Sequence, residues 1–543
     1  MTTGLHDAEA LARDAAAEKP APPSRAARKR PQADILLELA ERECEVWRDT
    51  AGMPYATVPV DGARAHVALR GRAMAAWLRR AYHVRAGGAP SRDAIAAAIG
   101  VLEGQALYSG AEHMTHLRVA RDRDRVYVDL CDETWSAIEI DAAGWRVVDC
   151  GSVPVRFRRG GGMQALPVPE PGGSLAELRE LAPLGDDDAY VLAVGWLLAA
   201  VRPGGPYPVL HLVAEQGAGK TTLARMLRRL VDPHAAELRG AIREPRDLAV
   251  AAENAHVVAA DNLSALPAWL SDTLCCLATG GGYATRELYA DRAEVIFAAV
   301  RPVILTGIGE VATRGDLLDR SVTVSLPRLR DPRPEAELWA AYDAARPRLL
   351  GALLGAAAAA LAREAETPAP TDVRMIDAAR WVASAEAGGA VPWPAGEHAA
   401  AVRRSRAAGH AVAVEASAIG PGLLELVAAE GGTWSGTASD LLAALESRLG
   451  ERARRPQGWP RRARDLGAEV RRLAPALRAL GLAVEASRGH GGRRVLSVQS
   501  PAATHRPQRH PASTGSDRAD AGDGCDAGDA GSGCGLPNER GEL

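Results

Sequence analysis

Lys220 is the only lysine beyond residue 29 in a chain of 543 residues that carries 62 arginines and three lysines. It lies in the run Ala214-Glu215-Gln216-Gly217-Ala218-Gly219-Lys220-Thr221-Thr222. A glycine-rich run of this kind can aim backbone N–H groups at phosphates. Its lysine reaches the β/γ-phosphates, and the hydroxyl that follows ligates Mg²⁺. A compact ammonium on a flexible stem suits that task where a broad planar guanidinium does not. The run therefore points to ATP and Mg²⁺ as cofactors. Ala214, Gln216, Gly217, Ala218, Gly219, Lys220, Thr221 and Thr222 form the expected cradle, with Thr221 on the metal. Ala214 stands where the strict pattern begins with glycine, but that position closes a strand and accepts a small residue. A glycine-rich turn that binds nothing is the competing reading, and the flanking pattern of strand and helix weighs against it.

Hydrolysis would need further groups. Asp261 ends the apolar run Ala255-His256-Val257-Val258-Ala259-Ala260 and is placed to hold Mg²⁺ through water. The position after such an acid commonly carries a glutamate that polarises the attacking water. Here it is Asn262, whose amide can orient a water but cannot take its proton. Thr306 closes the strand-like run Arg301-Pro302-Val303-Ile304-Leu305 and is the expected polar sensor of the γ-phosphate. Arg320, in Asp316-Leu317-Leu318-Asp319-Arg320, is the candidate arginine finger for a neighbouring subunit, with Arg314 in reserve. A salt bridge of Arg320 with Asp319 or Asp316 is the competing reading.

The elements that must position these groups are legible around them. Val209-Leu210-His211-Leu212-Val213 reads as a strand ahead of the loop, and Thr222–Leu230 follows at helical spacing. The fold class expected is multidomain: an α/β P-loop, AAA+-like ATPase core over residues 181–330, with an N-terminal α+β domain at 34–180. A helical lid or connector at 331–412 and a C-terminal winged helix at 413–500 complete it. Residues 1–33 read as a disordered basic arm and 501–543 as a disordered Gly/Asp/Ser-rich tail. In the N-terminal domain, helices are expected at 33–47 and 73–82, followed by short strands at 116–119, 126–130, 137–140 and 145–148. Asp129, Asp132 and Glu133 could ligate a metal there, but strand-end and turn roles are the stronger reading.

Residues 413–500 predict three helices (421–429, 437–449 and 461–480) and a hairpin from 482–486 and 493–498. Thirteen arginines outnumber the acids of this stretch. Arg461, Arg462, Arg464, Arg471 and Arg472 fall on or before the third helix. Arg488, Arg493 and Arg494 fall on the hairpin. Cations on both elements are the footprint expected of duplex DNA; a winged helix used for protein contacts is the alternative.

Hydrophobic content of 47% and charged content of 24% are those of a globular protein with real cores. Seven cysteines in no metal-binding spacing suggest a reduced, cytoplasmic chain. The N-terminus has no apolar segment of a signal peptide. The apolar runs Ala189–Val201 and Leu349–Ala362 are too short to span a bilayer, so no membrane partner is expected.

The order and spacing of Lys220, Asp261, Thr306 and Arg320 resemble the superfamily 3 helicases of the AAA+ class, particularly phage- and poxvirus-type primase-helicases. The segment Thr279-Gly280-Gly281-Gly282-Tyr283-Ala284-Thr285-Arg286-Glu287-Leu288-Tyr289 is similar to that family's extra motif, which leads into a DNA-contacting pore hairpin. The chain also resembles ATP-binding proteins of actinobacterial phages and integrated mobile elements. The resemblance implies Arg286 and Arg292 as hairpin cations, DNA as partner and a homo-oligomeric ring. Ala214, Asn262 and Ile308 depart from the family pattern. The function expected is an ATP-dependent DNA-remodelling motor, a replicative helicase-like ATPase of a phage or mobile element. The alternatives are an ATP-switched DNA-binding regulator or loader that scarcely hydrolyses and, more remotely, a small-molecule kinase.

Overall fold

The computed structural model describes residues 30–500 except 241, 264–265, 282, 287–293, 298, 308–314, 330–331, 450–457 and 489–493. The expected basic arm (but for its last four residues), the tail, Arg292, Ile308, Arg314 and Arg493 therefore lie outside the described residues.

The chain opens with α1 (Gln32–Glu43), β1 (Glu45–Asp49), β2 (Pro54–Val60), β3 (Ala63–Ala68), α2 (Arg72–Ala86), α3 (Arg92–Tyr108) and β4 (Ala111–His113). The strands form a sheet in the order β3-β2-β1-β4. The three helices cover it around Leu36, Ala56, Met74, Leu78, Ile95 and Leu102. The expected helix at 33–47 is cut short: the backbone turns extended at Cys44, and Trp47 becomes a strand residue paired with Tyr55. β-branched and aromatic side chains after Glu43 favour the pleated, half-buried surface.

Next come β5 (Thr115–His116), β6 (Val119–Asp122), β7 (Arg125–Asp129), β8 (Ala137–Asp141), β9 (Gly144–Val148) and β10 (Arg156–Phe157). β6 to β9 form an antiparallel meander in sequence order. Its inward residues Val126, Val128, Ile138 and Ile140 belong to the same apolar core as the central sheet below.

The centre of the molecule contains α4 (Glu177–Leu181), α5 (Asp187–Ala200), β11 (Val209–Val213), α6 (Lys220–Val231), α7 (Pro245–Asn254), β12 (Val258–Leu263), α8 (Ala268–Thr279), β13 (Tyr283–Arg286), β14 (Glu294–Phe297), β15 (Val303–Gly307), α9 (Gly315–Leu318) and β16 (Ser321–Ser325). Strands β12, β15, β11 and β16 lie side by side in that order, every pair parallel. Arg239 adds a one-residue parallel bridge to Ala260 at the outer edge. Both faces of the sheet are buried, so its strands read as continuous apolar runs. Leu210, Leu212, Ile304, Val322 and Val324 face one layer, whereas Val209, Val303, Leu305, Val258 and Ala260 face the other. β13 and β14 pair as a separate antiparallel hairpin.

Three long helices follow: α10 (Glu335–Arg363), α11 (Ile376–Ala387) and α12 (Glu397–Glu415). The apolar run at 349–362 is one part of α10, which continues through Pro347. By length and composition the whole of α10 is long enough to cross a membrane, but 56% of its most apolar window is buried against the rest of the chain. Leu349, Leu350, Leu353 and Leu354 of that helix sit in the central core.

The chain ends in α13 (Gly420–Ala429), β17 (Thr433–Thr437), α14 (Ala438–Leu449), α15 (Ala463–Ala479), β18 (Ala483–Arg488) and β19 (Arg494–Gln499). The three helices and the hairpin of the sequence reading are present. β17 is an addition: it pairs with β19, giving the antiparallel order β17-β19-β18. Thr437 and Asp440 cap α14 reciprocally, Asp440 N–H donating to Thr437 Oγ1 (3.3 Å) and Thr437 N–H to Asp440 Oδ2 (2.8 Å). Val414, at the end of α12, packs into this unit's core with Leu423, Leu466 and Val498.

Candidate nucleotide site and basic groove

In open parallel sheets, ligands bind beyond the carboxyl ends of the strands, where the strand order reverses. β11 is that strand here. Its following strands in sequence, β12 and β15, lie on one side and β16 on the other. The loop 214–219 leaves its carboxyl end and feeds directly into α6. Gly217 (φ +83°) and Gly219 (φ +80°) take left-handed conformations that a side chain would strain. That geometry turns successive N–H groups to one side at a helix N-terminus, an anion-binding arrangement.

Lys220 curls back over the loop. Its Nζ donates to the carbonyl oxygens of Ala214 (2.6 Å) and Glu215 (2.7 Å). Burial lowers its pKa, and the Asp261 carboxylate opposes that shift. Asp261, on β12, is reached by two hydroxyls. Thr221 Oγ1 lies 3.2 Å from both of its oxygens, and Thr306 Oγ1 donates to Oδ1. Thr306 in turn accepts the Asn262 N–H at 2.9 Å. Residues far apart in sequence thus converge because Leu212 and Thr306 are in register on β11 and β15. The donor set is oxygen only, a hydroxyl and a carboxylate, which suits a hard cation such as Mg²⁺. Gln216 is exposed on the loop, Thr222 is half-buried at the start of α6, and Ala218 is buried beneath the loop.

Asn262 is not in regular strand geometry. The register of β12 against β15 shifts between Ala260 and Leu263, and Asn262 has φ +58°. Asparagine is among the few side chains that adopt this region readily. The residue type at 262 therefore has a backbone reason as well as the chemical one.

Arg320 lies elsewhere. Its carbonyl accepts the Val209 N–H (2.9 Å), placing it at the amino end of β11, the opposite edge of the sheet from the loop. At about 3.3 Å per residue, the five-residue strand separates the two edges by roughly 13 Å. Its Nη1 donates to the Asp316 carbonyl (2.8 Å) and to Asp316 Oδ1 (3.1 Å), so the salt bridge with Asp316 is present. Arg320 cannot serve the site formed by its own Lys220 from this position.

The acids considered as metal ligands in the N-terminal region have structural partners. Arg159 grips both oxygens of Asp129 (2.7 and 3.0 Å), and Asp132 Oδ1 accepts the Ser136 N–H in a turn. Among the described residues no group of three or more His, Cys, Asp or Glu could hold a metal ion.

Arg286 falls on β13 of the hairpin. In the C-terminal unit Arg461, Arg462, Arg464, Arg471 and Arg494 are exposed. Arg472 is neutralised by Glu469 (2.9 Å), and Arg464 pairs with Asp465 (3.3 Å). Between α15 and the β18–β19 hairpin runs a groove of about 540 Å³ lined by Arg464, Arg471, Arg488 and Arg494. The hairpin alternation placed Arg488 among the cations; its convergence with Arg471 needed the tertiary fold.

Residues 175–399 match the family model described as actinomycete integrative conjugative element replication protein, and residues 419–514 match that of the AICE RepA C-terminal domain. The chain is similar to a replication-protein family. That similarity supports a replication-associated role. No curated protein matches the chain. Among solved structures it is similar to the NrS-1 C-terminal region, with 12% identity over 87% of this chain and 100% of that one, at a TM-score of 0.40. The SCCmec type IV Cch, an active helicase, gives 12% identity over 85% and 94%, at 0.44. A full-length MCM homolog from Methanopyrus kandleri gives 14% identity over 70% and 94%, at 0.26. None of these scores reaches the level of a shared fold.

Proposed function

We propose that this chain is an ATP-dependent DNA-remodelling motor, a helicase-like ATPase that serves the replication of a mobile element. One observation carries the reading. Thr221, Asp261 and Thr306 are hydrogen-bonded together at the switch point of a parallel sheet, beside a glycine loop that ends in Lys220. The strand order agrees with a P-loop core of the AAA+ kind, and the superfamily 3 resemblance remains part of this proposal.

The roles follow from the groups. Lys220 exchanges its two carbonyl partners for β/γ-phosphate oxygens, an exchange a flexible stem permits. Thr221 and Asp261 hold the cation, which when bound neutralises charge developing on the phosphates. Thr306 links the Asp261 carboxylate to the Asn262 backbone, so it reports changes at the phosphate to the end of β12. Arg320 serves a second copy's site, leaving Asp316 to do so. This requires an oligomer in which the amino edge of one sheet meets the carboxyl edge of the next. The order α13, β17, α14, α15, β18, β19 supports a winged helix that holds DNA through its basic groove.

A second reading keeps the same binding site but makes the chain an ATP-switched regulator or loader. Asn262 favours it, because an amide cannot accept the proton of an attacking water. ATP turnover measured with and without DNA, beside Lys220→Ala, separates the two. DNA-stimulated turnover lost in the variant supports the motor. ATP-dependent DNA affinity without turnover supports the switch.

A further inference from the structure

Arg320 is held in two unlike ways, firmly at its backbone and loosely at its head. Its N–H donates to the Leu317 carbonyl (3.0 Å) and its carbonyl accepts the Val209 N–H (2.9 Å), so the backbone is pinned between α9 and the central sheet. The guanidinium pairs with Asp316, whose side chain is 81% exposed. Exposed pairs of that kind are worth little. Arg320 Nε is buried and has no partner among the described residues. That cost ends if the side chain swings outward.

The pinning extends to both sides of Arg320, and one face of α12 supplies it. Before Arg320, Asp319 Oδ1 lies 3.2 Å from Arg406 Nε and 3.3 Å from His410 Nε2. After it, the Thr323 N–H donates to Ser405 Oγ (2.9 Å), which donates back to the Thr323 carbonyl (3.0 Å). Positions 405, 406, 409 and 410 share one side of a helix. Gly409 lets that side come close, since a Cβ there would lie only 3.3 Å from Leu318 Cδ2. His410 is the costly member of the set. Its side chain is 1% exposed, and its Nδ1 has no partner among the described residues. Burying a polar ring is unfavourable unless it is hydrogen-bonded, and Asp319 supplies that bond. The same bond is the largest influence holding the Asp319 carboxyl below its ordinary value; burial opposes it, and Arg406 and Arg374 assist.

A cation that must reach a neighbour's phosphates needs this combination of a fixed point of departure and a free end. We infer that Asp319 is a positioning residue for Arg320: gripped by Arg406 and His410, it fixes the turn from which Arg320 reaches the nucleotide of a second copy. This rests on the reading of Arg320 as serving a second copy's site, and deepens it.

The test is steady-state ATP hydrolysis by the full chain, alone and in equimolar mixtures. Asp319→Asn keeps the size of the side chain and an acceptor for His410, and removes the charge that holds Arg406. Alone it should lower kcat roughly tenfold or more, the scale on which misplacing a contacting group is felt. KM for ATP should stay within about twofold, because Arg320 acts on charge that develops in the transition state. The thermal midpoint should stay near wild type. Arg406→Gln, which breaks the contact from the other side, should give the same split. Lys220→Ala has a dead site of its own but an intact turn. Mixed with it, Asp319→Asn should recover turnover per Lys220-bearing chain, because the defect lies in what a chain offers its neighbour. Arg320→Ala in the same mixture should recover too. Wild-type turnover in both Asp319→Asn and Arg406→Gln would overturn the inference. So would an Asp319→Asn defect that mixing leaves in place while it relieves Arg320→Ala, since that is damage to the chain's own site. An Arg320→Ala chain that turns over like wild type, or that mixing does not rescue, would overturn the reading of Arg320 and the inference with it. A wild-type chain that hydrolyses no ATP would do the same.

Discussion

At the scale of single residues, the account depends on Lys220, Thr221, Asp261 and Thr306 acting together. Lys220→Ala should abolish ATP binding at concentrations that saturate the wild type, with little loss of stability, because the ammonium contacts only two loop carbonyls. Titration with a fluorescent ATP analogue checks this. Asn262 makes a less obvious prediction. A carboxylate at 262 would restore the base if that residue sat in a regular strand. The bulge and φ +58° take it out of the strand alternation. Asn262→Glu should therefore leave turnover within about twofold and cost about 1 kcal/mol of stability, the order of penalty for a side chain in the left-handed region. A large gain in turnover would show that the bulge does not matter. The phosphate loop was legible from its residues because the left-handed turns at Gly217 and Gly219 demand glycine. The bulge was not, because it arises from the register with β15, whose residues lie about forty positions later in the chain. The Asp316 contact of Arg320 was one of two partners weighed from the sequence, and only the turn geometry chose between them.

At the scale of elements, the joint between the meander and the central sheet is a buried ion pair. Arg118 and Asp232 are both fully buried, with Nε 3.0 Å from Oδ1. Arg118 also donates to the carbonyls of Asp129 and Gln164, and Asp232 accepts the Val257 N–H. Three separate segments thereby meet at the end of α6. Removing one partner leaves a buried charge, so Asp232→Ala should cost roughly 3–5 kcal/mol. An apolar replacement of both residues should recover much of that loss, measured by urea unfolding. Sequence patterns gave no sign of this pair, since its members are 114 residues apart. They also missed β17. Thr433-Trp434-Ser435-Gly436-Thr437 lacks an apolar alternation and becomes a strand only because β19 offers it hydrogen bonds. The helices and hairpin around it were legible because their periodicity is local.

At the scale of the whole molecule, two features extend through the layers. Asp319 holds Arg406 (3.2 Å) and His410 (3.3 Å) of α12, the helix whose end packs into the C-terminal core. The turn bearing Arg320 is thus tied to the helix whose end packs into the core of the C-terminal unit. The second feature is a set of histidines, three buried and one, His66, half-buried. His66, His211, His256 and His398 all have pKa values lowered to about 4, with burial the leading cause. Their folded values lie below the unfolded value near 6.5, so the unfolded chain binds protons first as pH falls. Stability from these groups is full above pH 6.5 and is lost as pH drops toward 4, at about 1.4 kcal/mol per group per pH unit. The thermal midpoint should therefore fall steadily between pH 6.5 and 4.5; a flat profile would contradict the burial of these rings.

The central claim is that ATP bound at Lys220 drives work on DNA. Steady-state ATP hydrolysis by the wild-type chain, with and without single-stranded and duplex DNA, beside Lys220→Ala, tests it most directly. The account predicts turnover that rises with DNA and vanishes in the variant. Turnover that ignores DNA, or survives the loss of Lys220, would contradict it.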